Sequence, residues 1–201
     1  MRLSRPDSET IRRFLDEQRA LPFSYEEIGH TRYGARTHRG FDVDHNRQLL
    51  GHGKELYLRA HAAIRAWKMF PEPWTAIEPK VSIHPEQTVA VLVHAVGLWW
   101  LNAARIVYVI DEPRRYGFAY GTLPGHAERG EERFSVEWLA DDSVWYDLYA
   151  FSRPRHLAAR VAAPMTRALQ RRFARDSKAA MASACASASP SASASPGGPS
   201  G

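Results

Sequence analysis

Apolar side chains recur at two different periods along this chain, and the change of period divides it. Residues 8–20, SETIRRFLDEQRA, place Ile11, Phe14 and Leu15 on one side, the spacing of a helix, with Ser8 positioned to cap its start. Leu21-Pro22 stops it. The next run, FSYEEIGHT (23–31), reads as a strand. DVDHNRQLLGHG (42–53) reads as a short helix broken by Gly51 and Gly53, and KELYLRAHAAIRAW follows with Leu56, Ala60, Ile64 and Trp67 at helical spacing. Pro71 and Pro73 end this pair of helices.

From about residue 75 to about residue 151 the period falls to two. Strands are expected near 76–83, 89–96, 104–111, 115–123, 131–139 and 144–151, with DEPRR, PGHAERG and ADDS as turn signals between them. Links mostly too short for crossover helices make these strands an antiparallel meander. The longer period then returns in RHLAARVAAPMTRALQRRFARDSKAAM (155–181). Here Leu157, Val161, Met165, Leu169 and Phe173 recur every four residues, and Pro164 should bend the helix or mark a joint. An antiparallel sheet buries one face, and a long C-terminal helix is its natural cover. The fold class expected is therefore α+β: a curved antiparallel sheet of six or seven strands around a C-terminal helix, with two short helices after the first strand. Such a sheet gripping a helix often leaves a cavity between them.

Composition adds boundaries to this picture. The 201 residues suit one domain, and the apolar and charged fractions, 44% and 24%, are those of an ordinary globular protein. The last twenty residues lack bulky side chains, so Ala182–Gly201 is expected to be a disordered tail. That leaves 1–22 as a helical extension and 23–181 as the folded domain. The single cysteine, Cys185, allows no disulfide within the chain and favours a cytoplasmic setting. Charges near the N-terminus replace the apolar core of a secretion signal, and VAVLVHAVGLWWL (89–101) is too short to span a bilayer. It is expected in a core, with His94 as a satisfied core residue.

The densest polar chemistry lies in YGTLPGHAERGEERFSVEW (120–138). Alternation puts Glu132, Phe134, Val136 and Trp138 on one face and Glu131, Arg133, Ser135 and Glu137 on the other, so Glu131 is expected in water. Glu132 falls on the apolar side near the turn. A carboxyl at the lip of an apolar cavity has its pKa raised and suits a general acid or base, with His126 and Glu128 within reach. The plainer reading is a hairpin whose polar tip stays solvated. No HExxH or PCxxC accompanies these groups, and the nine histidines are scattered, so no metal and no cofactor is expected. GHGKE (51–55) lacks the spacer and the Ser or Thr of a phosphate loop.

Tyr116, Phe118, Tyr120 and Thr122 share one strand face, opposite the nearly bare Gly117, Ala119 and Gly121. A bare face lets another element approach closely or lets the sheet curl. Trp100, Tyr116, Tyr120, Thr122 and Tyr146 are the candidate walls of a ligand cavity, because aromatic rings with polar tips hold a flat or elongated molecule and bond one end of it.

Several of these strings resemble a known family. FSYEEIGHTR, LLGHGKELYLRAHAAIRAWKMFPEPW, RIVYVIDEPRRYGFAYGTLPGHAERGEERFSVEW and AFSRP are similar to uncharacterised protein family 0548, a domain-of-unknown-function family, over roughly residues 10–180. That family is more distantly similar to the START-like and birch-pollen-allergen-like helix-grip superfamily. Members of the superfamily bind lipids, steroids, polyketides or plant hormones, and some are cofactor-free enzymes. The resemblance implies a fold and a cavity but no reaction.

The net charge of +5 is uneven, with eight Lys or Arg and one acid between Arg153 and Lys178. Arg160, Arg167, Arg171 and Lys178 fall on one side of the expected helix. Such a stripe can meet nucleic acid or an anionic membrane, but a solvated outer face is the commoner reason for one, and no aromatics interleave it. The leading expectation is a protein that encloses a small apolar or amphipathic molecule. The alternatives are a cofactor-free cyclase, dehydratase or hydrolase using the same cavity, and a polyanion-binding module.

Overall fold

A computed structural model describes residues 2–34, 40–154 and 163–186. Helix α1 (Ser8–Arg19) is followed by a short 3-10 turn (His30–Tyr33), strand β1 (Asp42–His52) and helix α2 (Lys54–Arg65). Strands β2 (Thr75–Glu78), β3 (Thr88–Ala95), β4 (Leu98–Glu112), β5 (Arg115–Thr122), β6 (Glu128–Trp138) and β7 (Ser143–Pro154) come next. Helix α3 (Ala163–Ala186) closes the order. The strands form one antiparallel sheet, ordered β1-β7-β6-β5-β4-β3-β2. Bulges at Leu49/Gly51 and at Ile106/Tyr108 bend it, and the curved sheet grips α3 in a helix-grip arrangement.

The fold class is the one expected, with its first third built differently. Residues 42–53 are the edge strand β1 and not a helix, so one strand and one helix stand where two helices were expected. The reason lies in its chemistry: DVDHNRQLLGH has no fully buried residue and pairs its backbone with β7. Its alternate side chains serve polar partners on two faces, which leaves no apolar period to read. Residues 23–31 are likewise not a strand, but a chain of bends ending in the 3-10 turn. The cap of α1 is Asp7, whose carboxylate accepts from the Thr10 amide, and not Ser8, which is the first helical residue.

The core fills the space between the concave face and the helices. Phe118, Phe134, Tyr146 and Leu148 from the sheet meet Ile64 of α2, Trp67 just beyond it, and Met181 and Cys185 of α3. Helix α3 therefore runs five residues into the stretch assigned to the tail, and Cys185 is buried with its carbonyl accepting from Arg59 Nε at 3.0 Å. Pro164 falls in the first turn of α3, where a missing N–H goes unnoticed. Residues 155–162, including Leu157, Arg160 and Val161, lie outside the described residues, as do 187–201.

The outer face is covered too. On α1, Ile11 and Leu15 pack against Ala76, Ala90 and Leu92 of β2 and β3. Residues 23–33 cross β5 and β6, and this overturns the solvated reading of Glu131. Its carboxylate is buried, accepting from the Tyr25 hydroxyl and the Gly29 amide at 2.7 Å, from the Thr31 amide at 3.0 Å and from the Thr31 hydroxyl. Beside it, buried Arg133 donates to the Thr31 carbonyl and to Asp147 Oδ1, both at 2.7 Å. The bare strand face admits this segment: a Cβ on Gly121 would lie 2.1 Å from the Tyr25 hydroxyl. His94 is exposed and stacked on Trp99, not in the core, because the outward-facing side of β3 is open at that end.

Among the described residues, no helix is long and apolar enough to cross a membrane. Nor does any group of three His, Cys, Asp or Glu stand where it could hold a metal ion.

Candidate functional site

Toward the end of the sheet that carries the β3–β4 and β5–β6 turns, the concave face and α3 separate. The space between them has a volume of about 710 Å³. Ligand cavities of roughly 300–1,000 Å³ are the ordinary size for small molecules. Its walls include Trp74, Val91, Trp100, Leu148 and Ala150 from the sheet side, with Leu169 and Phe173 from α3. Glu132, Glu128, His126, Tyr120, Thr122 and Trp100 all border it, so six of the eight sequence candidates come together. Tyr116 and Tyr146 do not. Tyr116 packs against His61 of α2, at 3.9 Å between ring centroids. Tyr146 is fully buried and shares a 2.8 Å hydrogen bond with Ser177. Both sit deeper, where helices fill the concave face, and strand alternation alone carries no information about that depth.

Glu132 is placed by sheet register. It pairs with Tyr120 on β5 and Ala150 on β7, so its side chain leaves the sheet among apolar neighbours. The Tyr120 hydroxyl donates to Glu132 Oε2. The carboxyl keeps a surface on the cavity but is ringed by protein, and burial pushes it up to about 7, while the Tyr120 hydrogen bond opposes the rise and the charges of Glu128 and Asp44 add to it. Burial, and then the Glu132 charge, hold the Tyr120 phenol well above its ordinary value.

Glu128 is the first residue of β6, not a loop residue. Gln170 of α3 donates to its Oε1 at 2.8 Å and to Ser152 at 2.9 Å, fastening the helix to the sheet across the cavity. Burial raises the Glu128 carboxyl, partly offset by Gln170 and Arg167. His126 stands in the turn with its Nδ1 accepting from the Glu128 amide at 3.0 Å. That turn is not a loose tip. The Gly125 amide donates to Gln18 of α1 at 2.6 Å, and the Ala127 amide donates to Asn102 at 3.2 Å. The Thr122 hydroxyl is shared with Ser24 and with the Gly130 amide.

Sequence reasoning missed Asn102, Gln170 and Asp44. Asn102 is a single polar residue in an apolar run, a weak but readable signal of a cavity-facing amide, whereas Gln170 opens the polar run Gln170-Arg171-Arg172 and carries no such signal. Asp44 carried no signal, since its strand was read as a helix. The basic stripe is also redrawn. Arg167 bonds Asp44 at 2.8 Å and also pairs with Asp42, and Lys178 reaches Asn46 at 3.4 Å, so part of the stripe ties α3 to β1.

Among solved structures, the chain is similar to Ara h 8.0201, with a TM-score of 0.46 and 14% identity over 72% of this chain and 99% of that one. It is similar also to human STARD10, with a TM-score of 0.43 and 11% identity over 89% of this chain and 80% of that one. In sequence, residues 24–180 match DUF1990, a domain of unknown function. A UPF0548 protein of Deinococcus radiodurans is 38% identical over 85% of this chain and 91% of its own length. One of Dictyostelium discoideum is 32% identical over 86% of this chain and 90% of its own. A match of this extent, running through the strands and helices that build the cavity, places the chain in the UPF0548 family of DUF1990 proteins.

Proposed function

We propose that this protein encloses a small, largely apolar molecule between its curved sheet and α3, with Glu132 and Tyr120 holding the polar end. The observation that carries this reading is the cavity of about 710 Å³, with a carboxyl–phenol pair set into an otherwise apolar wall. A packed core has no use for a buried, uncompensated acid, which costs stability unless something answers it. Trp100 and Phe173 supply flat apolar surface, while Asn102 and Gln170 add polar contacts at the edge. The buried free thiol of Cys185 fits a reducing, cytoplasmic setting.

Native mass spectrometry of protein purified from its own host tests this reading, with a bound small molecule as the expected result. Nile red, a neutral apolar dye, gives a second measure. It should bind the native chain and lose binding when Ala150→Trp or Leu169→Trp fills the space. No carried molecule together with dye binding indifferent to both substitutions would refute enclosure.

A second reading, catalysis without a cofactor, is favoured by one observation: a carboxyl pushed up to about 7 is poised to move protons near neutrality. In that case Glu132 transfers the proton and the Tyr120 hydroxyl steadies developing negative charge. A carried molecule that the native chain converts and Glu132→Gln binds but leaves intact would support it. Indefinite survival of that molecule with the native chain would count against catalysis.

A further inference from the structure

We infer that the enclosed molecule is a hydrophobic amine, whose ammonium sits against the Glu132 carboxylate with Glu128 close by. The inference rests on the enclosure reading above and adds the charge of the ligand. Among the described residues, Glu132 receives one hydrogen bond, from the Tyr120 hydroxyl through Oε2, and its Oε1 has no partner. Among the described residues no cation pairs with it. Arg167 is taken by Asp42 and Asp44. Arg171 and Arg175 border the same space from exposed positions, and Lys178 turns to Asn46.

The site therefore gathers negative charge at its inner end. Glu128 and Asp44 both act on Glu132 in the same unfavourable sense. Asp42 and Asp44 do the same to Glu128. A neutral or anionic guest would leave that charge buried and unanswered, whereas an ammonium supplies the missing partner in a medium that screens poorly. The aromatic lining points the same way. Trp100, Tyr120 and Phe173 border the cavity, and the negative faces of such rings attract cations while their surfaces take up an apolar body.

Among the described residues, the ionisable groups acting on Glu132 are Tyr120 from β5, Tyr146 from β7, Asp44 from β1 and Glu128 from β6. Helix α3 contributes Arg167, Arg171, Arg175 and Lys178 to the surroundings, and the β5–β6 turn contributes His126. An ammonium at Glu132 favours its ionised form, so binding below its pKa must expel a proton.

Titration calorimetry on the full chain, with naphthylmethylamine, naphthylmethanol and naphthoate as near-isosteric probes, decides the matter. At about pH 8 the amine should bind at least about tenfold more tightly than the alcohol, and naphthoate weakest of the three. Between about pH 6 and about pH 8 the amine's affinity should rise with release of a proton, while the alcohol's stays level. In Glu132→Gln the amine's advantage should shrink to less than about threefold. Equal or tighter binding of the alcohol, or an amine preference that survives Glu132→Gln, would overturn the inference and leave enclosure standing. Should Glu132→Gln fail to fold, a level pH profile for the amine on the native chain overturns it equally. If none of the three probes binds while Nile red does, the amine inference is overturned and enclosure stands; if Nile red binding is also indifferent to the cavity-filling substitutions and no molecule is carried, both fail.

Discussion

Tyr120 and Glu132 are direct partners across the β5–β6 ladder, and the hydroxyl of one donates to the carboxylate of the other inside an apolar cavity. Register fixes this pair, since a one-residue slip of either strand would turn its own side chain to the opposite face and part the two. The bond helps the carboxylate form, but burial outweighs it, and that imbalance makes the first prediction.

The folded-state pKa of Glu132, about 7, lies above the ordinary carboxyl value of 4.5. Its contribution to stability is therefore fully present below about 4.5 and is lost as pH rises to about 7. Glutamine mimics the protonated form. Glu132→Gln should match the native chain near pH 4 and exceed its stability by about 1–3 kcal/mol at pH 8, with cavity water reducing the upper figure. Urea unfolding of both proteins at the two pH values checks this. A variant less stable than the native chain at the higher pH would contradict it.

Replacing Glu131 should lower stability. Its carboxylate answers two amides and two hydroxyls of residues 25–31, so Glu131→Ala strands several buried donors. The expected loss exceeds about 3 kcal/mol, since hydrogen bonds to a charged group are worth more than neutral ones. Hydrogen exchange should quicken first at the Gly29 and Thr31 amides.

Gly121 is needed for close approach, not for an unusual backbone angle. A methyl group there would meet the Tyr25 hydroxyl at 2.1 Å and the Phe23 ring at 2.9 Å. Gly121→Ala should cost about 1–3 kcal/mol in thermal or urea unfolding. Combined with Tyr25→Phe, which removes the nearest clashing atom, the losses should be less than additive.

The end of α3 gives a test by truncation. A chain stopped at Ala186 should unfold like the full chain. One stopped at Met181 loses the buried Cys185 and the carbonyl that accepts from Arg59, and should be less stable by about 2 kcal/mol. Equal stability of the two truncated chains would show that this last turn contributes nothing.

The sheet from β3 to β7 was legible because each strand has an apolar face and short turns, so period and punctuation agreed. The inward aim of Glu132 followed from the same alternation, as did the bare face of Gly117, Ala119 and Gly121. Strand β1 was not legible, because an edge strand held by backbone pairing and polar side chains leaves no apolar period. The burial of Glu131 is not legible for a related reason. Alternation shows that a residue faces away from the cavity, not that residues 23–33 return to cover that outer face.

By itself, then, the sequence determined the period of each segment, the run of antiparallel strands, the covering helix and the face on which each β6 residue lies. These are local properties, set by spacing along a chain whose side chains alternate or wind at fixed angles. Only the tertiary structure decided which candidates share the cavity, that Tyr116 and Tyr146 lie in the packed part, and that Arg167 is occupied by Asp42 and Asp44. Those outcomes depend on how far the sheet bends and where α3 crosses it, and both are set by contacts between residues as much as 132 positions apart, as in Lys178 with Asn46.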